Sequence, residues 1–206
     1  MPLVAERVEK CREMRLNSIA AGIRKFADTP TLFAQVTQPM GVDYVIAPRV
    51  SSERRKYIPI GFMTSNTIAS DAVQIIPNAT VYHFGILTSN VHMAWIRAVC
   101  GRLKSDYRYS RDIGYNTFPF PQADENQRAN IEKLAQTVLD ARANYPESSL
   151  ADLYDPNFMP PELLKAHRAL DSAVMKLYDF PVKKDFTEAH CVAALMEMYQ
   201  KLTKEK

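Results

Sequence analysis

The chain has 206 residues, of which 47% are hydrophobic and 24% charged, as in an ordinary globular protein. This length suffices for one large domain or two small ones. The 26 Lys and Arg residues against 23 Asp and Glu residues give a formal net charge of only +3, so a strongly basic field over the whole protein is excluded. Any nucleic-acid surface must therefore arise from local clustering of positive charge.

Two further classes of protein are excluded by what the sequence lacks. No apolar run approaches the roughly 20 residues that cross a bilayer, and the charged N-terminus has no signal-peptide core. The three cysteines lie far apart and are odd in number, which argues against a disulfide framework and against a CxxC zinc site. We therefore expect reduced thiols and a cytoplasmic protein without a membrane partner.

The N-terminal segment is predicted to be a single helix. Apolar residues recur at helical spacing from Val4 to Phe26, and Thr29-Pro30 ends the pattern. The helix also carries many basic residues, so it is either a solvated face or a phosphate-contacting or linker helix. We assign residues 1–29 as an N-terminal linker helix. Because the pattern opens in mid-helix, we expect the chain to be part of a longer protein.

Residues 43–88 have the character of a small, mainly antiparallel sheet. Four short runs rich in β-branched and aromatic residues are predicted as strands: DYVIAPRV, KYIPIGFM, AVQIIPN and TVYHFGIL. A helix capped by Ser89 or Asn90 then follows, with Trp95 on its apolar face and predicted to lie in the core. Residues 115–121 are predicted to be extended, because their two prolines forbid a helix.

The rest of the chain is predicted to be helical. Asp124 and Gln127 form a capping box before an amphipathic stripe that ends ahead of Pro146. Two more helices are expected after Pro160 and near Thr187. The fold class is therefore α+β: a small antiparallel sheet with packed helices in a domain at residues 30–121, then a helical C-terminal region at residues 122–206.

Familiar catalytic and nucleotide-binding motifs are missing from the sequence. It has no GxGxxG, GxxxxGK[ST], GxSxG or HExxH, and its four histidines are scattered. Residues 155–158, DPNF, loosely resemble the motif that holds a flipped base in amino-methyltransferases, but the second proline is missing. We interpret them as a turn. The sequence therefore predicts no catalytic residue, no metal site and no cofactor in this chain.

The segment 97–111 has the composition of a surface that binds nucleic acid. Its basic residues outnumber its single acid, Asp106, and tyrosines lie between them. Lys or Arg donates to guanine, whereas Asp accepts from the amino group of cytosine. In an extended segment, residues two apart project on the same side, which predicts a row of base-reading side chains: Lys104, Asp106 and Arg108.

Other basic residues of this segment suit phosphates, where contacts fix register without reading sequence: Arg97, Arg102 and Arg111. The composition alone leaves two alternatives open. The segment can be a solvated basic loop, or the chain can be a protein-interaction module whose basic segment binds an acidic partner without DNA specificity.

Four strings resemble the C-terminal portion of MmeI-like enzymes: residues 51–62 (SSERRKYIPIGF), 70–110 (from SDAVQIIPN to LKSDYRYS), 115–121 (YNTFPFP) and 148–180 (from SSLADLYDPNF to MKLYDF). MmeI-like enzymes are type IIL restriction–modification proteins and related adenine-specific DNA methyltransferases. The resemblance implies a target recognition domain plus a helical C-terminal region. It also implies that the S-adenosylmethionine-binding methyltransferase domain, absent here, lies upstream in the same polypeptide. In that family an N-terminal endonuclease precedes the methyltransferase domain.

The resemblance further implies which residues contact DNA. Base-reading positions match Arg49, Asp71, Ala72, Lys104, Asp106 and Arg108. Contacts to the DNA backbone match Ser51, Ser52, Arg54, Arg55 and Lys56. The expected partners are double-stranded DNA and the upstream methyltransferase domain, in the nucleoid of a prokaryotic cell.

Overall fold

The N-terminal segment folds as two helices rather than one. In the computed structural model, which describes residues 1–34 and 39–204, α1 spans Pro2–Leu16 and α2 spans Ala21–Arg24. They belong to the first of two units, Met1–Gln38 and Pro39–Lys206. The prediction of one helix to residue 29 is wrong, and the periodicity fails at Ile19, which is fully exposed.

Arg15 explains why the chain turns back after α1. Its guanidinium is buried and donates to the carbonyl oxygens of Phe26 at 2.8 Å, Thr29 at 2.7 Å and Leu32 at 2.7 Å. The carbonyls of Phe26 and Thr29 also accept from the amides of Thr29 and Leu32 in turns, and a charged donor adds strong hydrogen bonds to them. The first unit is thus organised around one cation.

The second unit contains two small antiparallel sheets, which confirms the α+β class. The first sheet has the order β3-β1-β4, with β1 at Tyr44–Pro48, β3 at Gly61–Met63 and β4 at Val73–Pro77. The second has the order β2-β6-β5, with β2 at Val50–Ser51, β5 at Arg102–Leu103 and β6 at Asp106–Arg108. Only Arg49 separates β1 from β2, so the chain passes directly from one sheet to the other.

The run TVYHFGIL is a helix, not the predicted fourth strand. Helix α3 spans Val81–Leu87, and Thr80 caps it together with the side chain of His83. A continuous apolar run does not distinguish a buried strand from a buried helix. The glycine of this helix permits close packing, because a Cβ added to Gly85 would lie 2.8 Å from Cγ2 of Ile131.

The following helix begins where the sequence predicts, with Ser89 as its N-cap. Helix α4 spans Asn90–Val99 and carries Trp95, which is buried as expected. A π-helical turn follows at Arg111–Tyr115. Residues 115–118 continue as a turn, in which the amide of Phe118 donates to the carbonyl of Tyr115, so the predicted extended stretch is wrong there.

The C-terminal part is helical, as predicted. Helix α5 spans Glu125–Ala143, α6 spans Leu150–Leu153, α7 spans Pro161–Leu177 and α8 spans Glu188–Lys204. The capping box of Asp124 and Gln127 is present, and residues 155–158 form a turn. One hydrophobic core joins these helices to α3, α4 and the first sheet.

Candidate nucleic-acid interface

Arg49 lies where the predicted base-reading segments meet. Its amide donates to the carbonyl oxygen of Ala72 at 2.9 Å, and its own carbonyl accepts from the amide of Tyr109 at 2.8 Å. In the second sheet, Val50 is the cross-strand partner of Arg108. The structure therefore brings together three segments that are remote in sequence, while the side chains of Arg49, Ala72 and Arg108 are exposed.

Strands β5 and β6 form a hairpin, here called the recognition hairpin (residues 102–108). Leu103 pairs with Asp106, so that Lys104 and Ser105 form a two-residue turn. Lys104 has a φ of +55°, in the left-handed region that favours glycine. The expectation of one extended ribbon through Lys104, Asp106 and Arg108 is therefore wrong at Lys104, which lies exposed at the hairpin tip.

The two remaining members of that row do share one side of β6. Asp106 is half-buried and Arg108 is exposed, whereas Tyr107 between them is buried. This alternation is the period of two that a strand imposes. The position of Tyr107 between two outward-facing residues is the signal in the sequence that predicts its inward direction.

The hairpin holds the adjacent basic loop, defined here as residues 52–56 (SERRK). The amide of Glu53 donates to Oδ1 of Asp106 at 3.2 Å, and the Tyr107 hydroxyl donates to the Glu53 carbonyl at 3.0 Å. Both backbone groups of Glu53 are thus bound by consecutive residues of β6. The basic loop and the recognition hairpin form one surface.

Tyr109 fixes the end of the hairpin to the core. It is buried, and its hydroxyl lies 3.0 Å from Nε2 of His92 in helix α4. Burial lowers the pKa of His92 to about 3, so the imidazole is neutral near pH 7. The imidazole ring of His92 also packs edge-on against Phe118, with ring centroids 4.5 Å apart. The hairpin is therefore attached to a rigid element.

Several predicted phosphate contacts are exposed or half-exposed. The guanidinium of Arg102 lies over the ring of Tyr107, 4.2 Å from the centroid, and donates to the Ser105 carbonyl. Arg111 is exposed and pairs with Asp112 at 2.8 Å. The basic loop contributes further exposed or half-exposed members: Ser52, Arg54, Arg55 and Lys56. Asp71, predicted to read a base, is also exposed.

Three predicted backbone contacts are buried or have partners within the protein. Ser51 is 2% exposed, because in β2 it is the inward-facing neighbour of Val50. Arg97 makes two hydrogen bonds to the carboxylate of Glu188 in α8, at 2.7 and 2.8 Å. Arg55 donates to the carbonyl of Ala151 at 3.2 Å. Sequence does not show the direction of a side chain or the partner it takes, so the phosphate roles of these three residues stay predictions.

Neither a metal site nor a membrane-spanning segment is found in the part of the chain that the structure describes. Across residues 1–34 and 39–204, no group of three or more His, Cys, Asp or Glu side chains is placed to hold an ion. Within the same ranges, no helix has the length and apolar character needed to cross a bilayer. Cys11, Cys100 and Cys191 are free thiols.

The fold and this surface are those of a DNA target recognition domain followed by a helical domain. The family described as "MmeI, target recognition domain" matches residues 1–122, and "MmeI, C-terminal domain" matches residues 123–205. The chain therefore belongs to the MmeI family, which confirms the resemblance drawn from its sequence.

Two relatives agree with this assignment. DNA methyltransferase A of Bacillus subtilis (strain 168) is 39% identical over 203 residues, which are 98% of this chain and 22% of the relative. A solved structure of the type IIL restriction–modification enzyme MmeI in complex with DNA superposes with a TM-score of 0.91 at 49% identity, over 99% of this chain and 27% of that chain. The chain thus spans about a quarter of the length of the proteins it matches.

Proposed function

We propose that this chain is the part of an adenine-specific DNA methyltransferase that recognises the target sequence. One observation supports this most strongly: the main chain of Arg49 is hydrogen bonded both to Ala72 and to Tyr109. Those bonds gather Arg49, the Asp71–Ala72 segment and the recognition hairpin into one surface. Base readout in a major groove needs such a cluster of side chains on a rigid support.

The base-reading roles follow from side-chain chemistry. Arg49, Lys104 and Arg108 donate to guanine, while Asp71 and Asp106 accept from the amino group of cytosine. Ala72 leaves room for a base edge or touches a thymine methyl group. The left-handed φ of Lys104 adds support, because non-glycine residues in strained conformations cluster at functional sites.

Contacts to phosphates come from the residues of this surface that are not buried. We assign this role to Ser52, Arg54, Lys56, Arg102 and Arg111. Each phosphate that a cation neutralises releases counterions, so affinity should fall linearly in log salt with a slope of about −0.9 per contact. An interface with an acidic protein partner that depends on apolar burial would not show this slope.

In this proposal the chemistry belongs to the rest of the longer protein. A methyltransferase domain of the same polypeptide would bind S-adenosylmethionine and methylate the exocyclic amine of adenine. The present chain would contribute specificity and no catalytic group, and it would act on DNA in the cytoplasm. Incubation of the 206-residue chain with labelled S-adenosylmethionine and DNA should give no methyl transfer. Transfer by this chain would contradict the assignment.

The decisive experiment is selection of duplexes from a randomised library by the purified chain. Enrichment of one short motif, with a log–log salt slope that corresponds to several phosphates, would support the proposal. Retention of duplexes without a common motif, or no retention at low salt, would reject it.

A second experiment tests the residues rather than the activity. In the full-length methyltransferase, Lys104→Glu combined with Asp106→Arg should change the base accepted at one position of the methylated site. Single-molecule sequencing of methylated genomic DNA reads this directly. An unchanged methylated site would show that Lys104 and Asp106 do not read a base. Lys176→Glu, which changes an exposed residue on α7, is the control and should leave the methylated site unchanged.

A further inference from the structure

The basic loop is held from the helical C-terminal domain as well as from the recognition hairpin. Three successive points between residues 55 and 60 are bound by that domain. Arg55 donates to the carbonyl of Ala151 at 3.2 Å, and the Tyr57 hydroxyl donates to Oδ2 of Asp171 at 2.6 Å. The carbonyl of Ile60 accepts from the buried guanidinium of Arg142 at 2.7 Å. The basic loop and the residues that follow it are therefore bound both by the recognition hairpin and by the C-terminal domain.

Asp171 accepts hydrogen bonds from two different parts of the chain, the segment after the basic loop and the start of helix α4. This residue of helix α7 is buried, and its Oδ1 accepts from the amide of Asn90 at 2.8 Å, while Oδ2 accepts from Tyr57. Asn90 is the first residue of helix α4, and a carboxylate at a helix N-terminus satisfies an unpaired amide and favours the helix dipole. Helix α4 in turn leads into the recognition hairpin.

The ring of Tyr57 is held as firmly as its hydroxyl. It stacks on the imidazole of His167, with centroids 4.1 Å apart and an angle of 20° between the rings. Nε2 of His167 lies 2.6 Å from the hydroxyl of Tyr154, which accepts from Nε of Arg142 at 2.9 Å. Since that hydroxyl accepts from a cation, its own proton is directed at His167, which holds the imidazole ring in place.

A buried carboxylate is costly, so its position calls for an explanation. Desolvation raises the pKa of Asp171 to about 6, against the hydrogen bonds from Tyr57 and Asn90 and the positive charges of Lys56 and Arg97. A well-packed apolar side chain would be as stable at such a site in many proteins. The carboxylate instead gives directional bonds to the residue that follows the basic loop and to the start of the helix that leads into the recognition hairpin.

We infer that Asp171 is a positioning residue for DNA recognition: through Tyr57 and Asn90 it orients the basic loop and the helix that supports the recognition hairpin. The inference rests on the proposed function. It gives the C-terminal domain a part in specificity, although Asp171 itself is buried and does not touch a base. A loss of this carboxylate should therefore alter discrimination between sequences as well as stability.

The experiment compares Asp171→Asn, Asp171→Ala, Tyr57→Phe and the double variant Tyr57→Phe/Asp171→Ala, each as the 206-residue chain. The probes are the duplex enriched by the wild type and the same duplex with one base pair changed. We expect Asp171→Ala and Tyr57→Phe to reduce the ratio of the two affinities by up to about tenfold, with non-additive effects in the double variant. Asp171→Asn keeps an amide oxygen that can accept from the Asn90 amide, and its amino group can donate to the Tyr57 hydroxyl, so it should retain most of the discrimination.

Two controls separate a positioning role from a loss of folding. Glu162→Gln removes an exposed carboxylate from the same helix and should leave the affinity ratio unchanged. Urea unfolding identifies conditions in which every variant is fully folded, and amide exchange should accelerate at Glu53 in Asp171→Ala. An unchanged affinity ratio in folded Asp171→Ala would overturn the inference and leave the proposed function intact. Failure of the wild type to select any duplex would overturn both.

Discussion

Tyr109 and His92 are joined by a buried hydrogen bond of 3.0 Å between the phenolic oxygen and Nε2. This bond connects the end of the recognition hairpin to helix α4, at the residue whose amide also binds the Arg49 carbonyl. Nδ1 of His92 has no partner within the described residues, so Nε2 makes the only side-chain hydrogen bond of that ring there. This bond therefore links the reading surface to the core.

Tyr109→Phe should therefore destabilise the protein although it removes only one oxygen atom. The substitution leaves Nε2 of His92 buried without a partner, which costs about 1–3 kcal/mol. Urea unfolding at neutral pH measures the loss. Tyr199→Phe is the matched control, because Tyr199 is only half-buried, and we expect a change below about 0.5 kcal/mol. Equal stability of Tyr109→Phe and the wild type would contradict the role of this bond.

Lys104→Gly should separate stability from DNA binding. A left-handed residue with a Cβ costs about 1–2 kcal/mol, and glycine removes this cost at the price of about 0.4–1 kcal/mol in the unfolded chain. We expect a net gain of roughly 0.5 kcal/mol in the free energy of unfolding. DNA affinity should fall, because the cation at the hairpin tip is lost.

Lys104→Ala provides the comparison for this prediction. It removes the same charge but keeps a Cβ at the φ of +55°, so DNA affinity should fall without a gain in stability. Thermal unfolding and fluorescence anisotropy with a labelled duplex measure the two properties. If Lys104→Gly binds DNA as tightly as the wild type, Lys104 does not contribute to the reading surface.

Substitution by glutamine should change the salt dependence of DNA binding at Arg102 but the stability of the protein at Arg97. Arg102→Gln removes an exposed cation from the hairpin, so the magnitude of the log–log salt slope should fall by about 0.9. Arg97→Gln breaks the ion pair with Glu188, so it should cost about 1 kcal/mol of stability and leave the slope unchanged. A salt series with one duplex measures the slope for both variants, and urea unfolding measures the stability of Arg97→Gln. An equal decrease of slope in Arg97→Gln would support Arg97 as a phosphate contact.

Local signals in the sequence predicted the parts of the fold that depend on local interactions. The capping box at Asp124 and the N-cap at Ser89 satisfy nearby amides, so their residues alone locate two helix starts. The run 80–87 was predicted as a strand because its helical state depends on packing, where Gly85 allows Ile131 to approach. Local sequence does not contain that information.

In the candidate site too, the features that depend on local sequence were predictable, whereas those that depend on long-range contacts were not. Charge and spacing selected Asp106 and Arg108, which do share one side of a strand. The turn at Lys104 was missed because Lys-Ser is not a residue pair that signals a hairpin. The roles of Tyr57 and Asp171 were missed because their bond joins residues 114 positions apart. Long-range pairing of this kind is visible only in three dimensions.

Two buried histidines should make the protein sensitive to acid. Burial lowers the pKa of both His92 and His167 to about 3, whereas an unfolded chain binds these protons near pH 6.5. The unfolded state therefore binds more protons between about pH 6.5 and 3, and stability falls as pH falls through that window. At pH 5 the loss is on the order of 2 kcal/mol for each histidine.

Asp171 acts in the opposite direction over part of the same range. Its pKa is raised from 3.8 to about 6, so the native state binds the extra proton between these values, and stability from this group rises as pH falls. The histidines outweigh it because there are two of them and each shift is larger. Urea unfolding at pH 7, 6 and 5 should show decreasing stability, with a smaller decrease in His167→Gln and a larger one in Asp171→Asn. A decrease in His167→Gln as large as in the wild type would show that the buried imidazole is not the acid-sensitive group.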